Sequence, residues 1–148
     1  MLRIVYAILI ILFPLSHPLL AKSGDTVKIA LAQLESSDVG DFTAMQNYAI
    51  EAQQNGAAMI LFPESSVFGW LNPAVFTDAA PIPGTYSNAF ANIAKTANIW
   101  VGAGLAEQGP ASSKPGVYTA YDSGIIINSA GELVLHHRKY NVLKNAFD

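Results

Sequence analysis

The sequence predicts an α/β fold in which a mixed sheet carries helices on one face. Three observations predict it. Apolar runs of strand length alternate with amphipathic stretches of helix length. Start and stop signals bracket the first of those stretches. The last two apolar runs are separated only by a short turn, which adds antiparallel strands to the sheet.

Residues 27–34 (VKIALAQL) are rich in apolar side chains and read as a buried strand. Ser36 to Gly40 is a loop, and Asp41 is a good N-cap for a helix running to Asn55. Phe42, Met45, Ala49 and Ala52 recur on one face of that helix. Gly56 follows, where a left-handed residue closes a helix. Residues 57–62 (AAMILF) form a continuous apolar run, the pattern of a strand covered on both faces.

Residues 63–83 contain four prolines and the aromatic residues Phe68 and Trp70. A stretch of that length without periodicity is usually functional or carries short helices. Tyr86, Ala89, Phe90, Ile93, Ala94 and Ala97 then define a second amphipathic helix ending near Asn98. Residues 99–105 (IWVGAGL) are the third strand, and residues 108–116 read as a polar loop. Residues 118–128 and 133–137 are strands joined by the turn Ser129-Ala130-Gly131. In sheets of this kind ligands meet residues just beyond the C-terminal strand ends. Glu64 stands there, after residues 57–62.

A chain of 148 residues suits one domain with a real core. The net charge of -3 comes without a basic stripe, which argues against a nucleic-acid partner. There is no cysteine, hence no disulfide and no thiolate metal site among these residues. His136 and His137 are adjacent in a strand, point to opposite faces, and so do not share a metal ion. No metal and no cofactor are expected. Arg3 followed by an apolar run over residues 4–15, with Ala21 before Lys22, has the form of an export signal. The run is shorter than the roughly 20 residues of a bilayer span. We therefore expect a signal peptide at 1–21, a secreted or periplasmic domain at 22–148, and no stable membrane span after cleavage. The alternative is an uncleaved anchor.

Two segments carry candidate chemistry. Glu64 follows four apolar residues and a proline, so burial at the strand mouth is expected to raise its pKa toward the range of a general base. Capping of the following turn is the plainer role for it. Lys139 closes the last strand and is suited to stabilise an oxyanion, or simply to stand in solvent beside Arg138. Phe68 and Trp70 are candidate substrate-binding aromatics, and equally ordinary loop anchors.

Taken together, VKIALAQL, ILFPES followed by FGW, and YDSGIIINSAGELVLHHRKYNVL resemble the carbon–nitrogen hydrolase (nitrilase-like) superfamily in order and spacing. FPE with FGW, and RKYN, look most like its pantetheinase and biotinidase branch. The resemblance implies the N-terminal half of an αββα sandwich and a Glu-Lys-Cys mechanism on the non-peptide C–N bond of a small amide or nitrile. In that mechanism Glu64 resembles the general base and Lys139 the oxyanion-stabilising lysine. Four departures stand out. The cysteine segment expected some tens of residues after the lysine is absent, as is the second half of the sandwich. No match exists for a further family glutamate after the lysine. Asp122 stands where Asn commonly follows the family tyrosine. The expectation is thus a partial domain lacking its nucleophile and inactive as given. The alternative is a non-catalytic product or pseudoenzyme serving as a binding module. Self-association stays open.

Overall fold

The computed structural model describes residues 26–140. The expected signal peptide at 1–21 lies outside them. Five strands form one sheet in the order β1-β2-β3-β4-β5. They are β1 (Ile29–Leu31), β2 (Met59–Leu61), β3 (Trp100–Ala111), β4 (Tyr118–Ile127) and β5 (Leu133–Arg138). β1, β2 and β3 are parallel, whereas β4 and β5 are added antiparallel. Helix α1 (Phe42–Gln54) joins β1 to β2, and α2 (Val75–Asp78) and α3 (Thr85–Ala97) lie between β2 and β3.

Local chemistry fixes the helix ends. The Asp41 carboxylate accepts from the Thr43 and Ala44 amides at 2.8 and 3.1 Å, satisfying two donors that the first turn leaves open. Asn98 ends α3 in the left-handed region at φ 49°. Both long helices turn their apolar faces to the same side of the sheet. Met45, Ala49 and Ala52 of α1 and Phe90, Ile93, Ala94 and Ala97 of α3 share a core with Ile60, Phe62, Val101, Ala103, Leu105, Ile125 and Ile127. Ile60, Val101 and Ile127 are paired neighbours across three strands, as one pleated face requires.

The opposite face corrects two expectations. Residues 27–34 shrink to a three-residue edge strand whose Ile29 and Leu31 are exposed, Leu31 by 77%. Met59 and Leu61 of β2 are only partly covered. Apolar composition alone does not say which face is packed, and among the described residues no element lies over this one. Trp100 and Leu135 are exposed as well. A third correction concerns residues 108–116, because β3 runs on to Ala111. The ladder with β4 carries it past the polar residues, with an irregularity between Gln108 and Ala111.

The open face has a measurable consequence. Burying a leucine side chain is worth about 1.5–3 kcal/mol, and apolar patches of this kind drive association. The purified 148-residue chain is expected to bind a hydrophobic-surface dye and to self-associate in sedimentation. Leu31→Lys combined with Leu135→Lys should reduce both while leaving the helix-side core intact. Undiminished dye binding in that variant would place the sticky surface elsewhere.

Candidate active site

Glu64 is held by the way the chain leaves β2. The Phe62 amide donates to the Gly102 carbonyl at 2.8 Å, and Pro63, having no N–H, ends the ladder. The chain then crosses over β3. A Cβ on Gly104 would lie 2.7 Å from the Glu64 Cα, so the crossing needs glycine there. Beyond Glu64 the backbone is strapped down. Ser65 adopts φ 62°, unusual for a residue with a side chain. The Ser66 amide donates to the Gly104 carbonyl at 3.1 Å, its hydroxyl donates to the Pro63 carbonyl, and its own carbonyl accepts from Gly40 at 2.9 Å. A strained residue pinned on both sides fixes the direction of the carboxylate beside it.

Lys139 arrives from the end of β5, 75 positions away, and its Nζ donates to Glu64 Oε1 at 2.7 Å. The same Nζ lies 3.0 Å from Asp122 Oδ2, on the neighbouring strand β4. Glu64 and Lys139 are each 46% exposed. This exposure overturns the expectation that burial lifts the Glu64 pKa. Hydrogen bonding from the Asp122 carboxyl, then from Lys139, holds Glu64 below the ordinary glutamate range, and the small burial does not offset them. Asp122 is pushed up by burial and by its contact with Glu64. Lys139 is pushed up by its bonds to Glu64 and Asp122. At neutral pH Glu64 is ionised and Lys139 is an ammonium.

Strand alternation sends Arg138 to the other face of the sheet, the one that carries the helices. There it grips Glu107 with both ends of its fork, Nε to Oε2 at 2.9 Å and Nη2 to Oε1 at 2.6 Å. Ser123 Oγ donates to Oε2 at 2.7 Å, and His136 Nε2 lies 2.9 Å from the same oxygen. Since an ionised carboxylate only accepts, the last bond places a proton on Nε2. The guanidinium also sits 4.1 Å above the Tyr121 ring. Sequence reading missed Glu107 and the partnership of Asp122. The signal for Glu107 was available: it shares the parity of Val101, Ala103 and Leu105, so extending β3 by two residues puts a carboxylate on the apolar face.

Phe68 packs edge-on against Tyr86, ring centroids 5.3 Å apart, and belongs to the rim of the helix-side core. Trp70 is 61% exposed. A concavity of about 340 Å³ lies between β1 and α1, lined by Ile29, Leu31, Tyr48, Ala52 and Ile60 among others, and includes none of Glu64, Asp122 or Lys139. Among the described residues no group of three or more His, Asp or Glu could hold a metal ion.

The profile of the carbon-nitrogen hydrolase family matches residues 28–147. The chain belongs to that family. It is similar to a formamidase of Helicobacter acinonychis (strain Sheeba), with 32% identity over 97 residues, covering 62% of this chain and 27% of the formamidase. A formamidase of Bacillus cereus (strain Q1) is 31% identical over 97 residues, covering 64% and 27%. Among solved structures, an amidase from Nesterenkonia sp. superposes with a TM-score of 0.66 at 18% identity, over 81% of this chain and 45% of its own. A cysteine-to-alanine variant of the Nesterenkonia AN1 amidase, of the nitrilase superfamily, gives 0.67 at 18% identity, over 86% and 48%. These likenesses establish a nitrilase-type fold. This chain spans about a quarter of the formamidases and just under half of the amidase.

Proposed function

We propose that this chain carries the base and the oxyanion cation of a carbon–nitrogen hydrolase acting on small amides. The observation that carries the reading is the contact between Glu64 and Lys139 at a strand mouth. An ionised Glu64 takes the proton of an attacking thiol, since the thiolate is the nucleophile. Sulfur bonds to the amide carbon and the C=O pair moves onto oxygen. Lys139 donates to that oxygen. Collapse expels the amine, which leaves with the proton from Glu64, and water then hydrolyses the thioester. A glutamate-to-glutamine variant of the Nesterenkonia amidase shows covalent addition of the acetamide moiety of fluoroacetamide at its active site cysteine. No cysteine occurs in the 148 residues here.

The formamidase and amidase relatives make small amides the first substrates to try. The pantetheinase-like look of FPE, FGW and RKYN makes a pantetheine-like amide the second. Trp70, being exposed, is the aromatic better placed to meet a substrate, with Phe68 behind it as support. Export remains our reading of residues 1–21. Self-association through the open face is compatible with it. The lack of a cysteine within residues 1–148 favours a second reading, in which these residues by themselves are non-catalytic and act as an interaction module.

An added thiol tests the two roles. The chain, supplied with a small thiol and a nitro-substituted formanilide, is expected to release nitroaniline about tenfold faster than its Glu64→Gln or Lys139→Met variant. The reaction transfers the formyl group to sulfur and the proton to the leaving nitrogen. Equal rates for the three proteins would strip both residues of the assigned roles.

A further inference from the structure

We infer that Asp122 is a positioning residue of this site, a second counter-ion that keeps Lys139 in place when Glu64 becomes protonated. The inference rests on the reading of Glu64 as base and Lys139 as oxyanion donor. Its geometric ground is a two-point grip. The Asp122 main-chain carbonyl accepts from the Lys139 amide at 2.7 Å, and its carboxylate lies 3.0 Å from the Lys139 Nζ. The first contact fixes the root of the lysine and the second fixes its tip.

The grip matters because a lysine is a point charge on a flexible stem with three rotatable donors. One N–H goes to Glu64 and a second faces Asp122, which leaves the third pointing along one remaining direction. When Glu64 accepts the thiol proton, its carboxylate becomes a neutral acid and its hold on the ammonium weakens. With Glu64 as sole partner, Lys139 would be released at the moment an oxyanion develops. Once Glu64 is neutral it no longer opposes a charge on Asp122, so the negative charge passes to Asp122, whose carboxylate 3.0 Å from Nζ keeps the lysine from swinging. Asp122 is the more sheltered anchor, 29% exposed against 46% for Glu64. The other titratable side chain on this face of β5 is His137, paired in register with Gly124. Glu107, His136 and Arg138 are bonded to one another on the opposite face.

Glu64→Gln imitates the protonated base, so the test needs no turnover. Lysine acetylation by trace acetic anhydride at mildly alkaline pH is followed by peptide mass spectrometry, with Lys114 as internal reference. Lys139 in the wild-type chain should react more slowly than Lys114. Glu64→Gln should leave much of that protection. Asp122→Asn should raise Lys139 reactivity about twofold to fivefold, the range of an exposed ion pair. The double variant should bring it to the level of Lys114. If Glu64→Gln alone abolishes protection, or Asp122→Asn alone leaves it unchanged, Asp122 does not hold the lysine. Either single variant decides the question should the double variant fail to fold. Failure of the thiol assay with intact labelling behaviour would remove the functional reading and leave the grip standing.

Discussion

Glu107→Ala is expected to destabilise the fold by about 3 kcal/mol at neutral pH. Glu107 is almost fully buried and is the one acceptor shared by Arg138, His136 and Ser123. Breaking a buried ion pair from one side typically costs about 3–5 kcal/mol, because the other charge is left without a partner. Arg138 is half exposed and regains water, which puts this case at the low end. The depressed pKa of Glu107 corresponds to a matching figure. Arg138 chiefly, with Ser123 and His136, holds its pKa at about 2 against the ordinary 4.5. A difference of that size corresponds to about 3 kcal/mol. The sign follows from the depressed value. Above pH 4.5 the carboxyl is ionised in both states and its full contribution is present. Between 4.5 and about 2 the unfolded chain takes up the proton first, so this contribution falls as the pH falls. Urea denaturation across that window should show the wild type losing stability while Glu107→Ala stays flatter. A variant within about 1 kcal/mol of wild type at pH 7 would refute the estimate.

The same clamp shows what the sequence could and could not disclose. Arg138 and Lys139 are neighbours in a strand, and alternation alone predicts that they face opposite ways. Their partners are not local. Glu64 lies 75 positions before Lys139, and Glu107 lies 31 before Arg138. Only family motifs, not spacing, linked Glu64 to Lys139 in advance. Helix α1 was legible because its signals are short-range: the Asp41 cap, the apolar spacing and the glycine after Asn55. The end of β3 was not, because polar residues beside a proline and glycines read as loop, whereas cross-strand bonding to β4 overrode local preference. The Glu64 pKa was misjudged for a related reason. A proline and four apolar residues suggest burial, but the crossing over Gly104 lifts the carboxylate to the open face, where Asp122 and Lys139 decide its charge.

Residues 1–148 by themselves are expected to release no ammonia from formamide, acetamide, a simple nitrile or a pantetheine-like amide. The physical reason is the missing nucleophile. Covalent catalysis splits one hard step into two easier ones, and Glu64 and Lys139 can assist that route without supplying it. Deleting the nucleophile from a comparable group lowers kcat on the order of 10⁶-fold, the remainder coming from oxyanion stabilisation and binding. Here even that remainder is reduced. Both Glu64 and Lys139 are nearly half exposed, so water screens the charge that would meet the oxyanion. Direct attack by a water molecule deprotonated by Glu64 is the one route left. It is a poor one, because Asp122 and Lys139 hold Glu64 below the usual glutamate pKa and make it a weak base. The assay compares ammonia release from the wild-type chain and from Glu64→Gln, each checked for intact folding. Turnover in the wild type that Glu64→Gln abolishes would establish a cysteine-independent hydrolase and remove the non-catalytic reading. Absence of turnover, together with thiol-dependent release of nitroaniline that needs Glu64 and Lys139, would instead identify a site complete but for its sulfur.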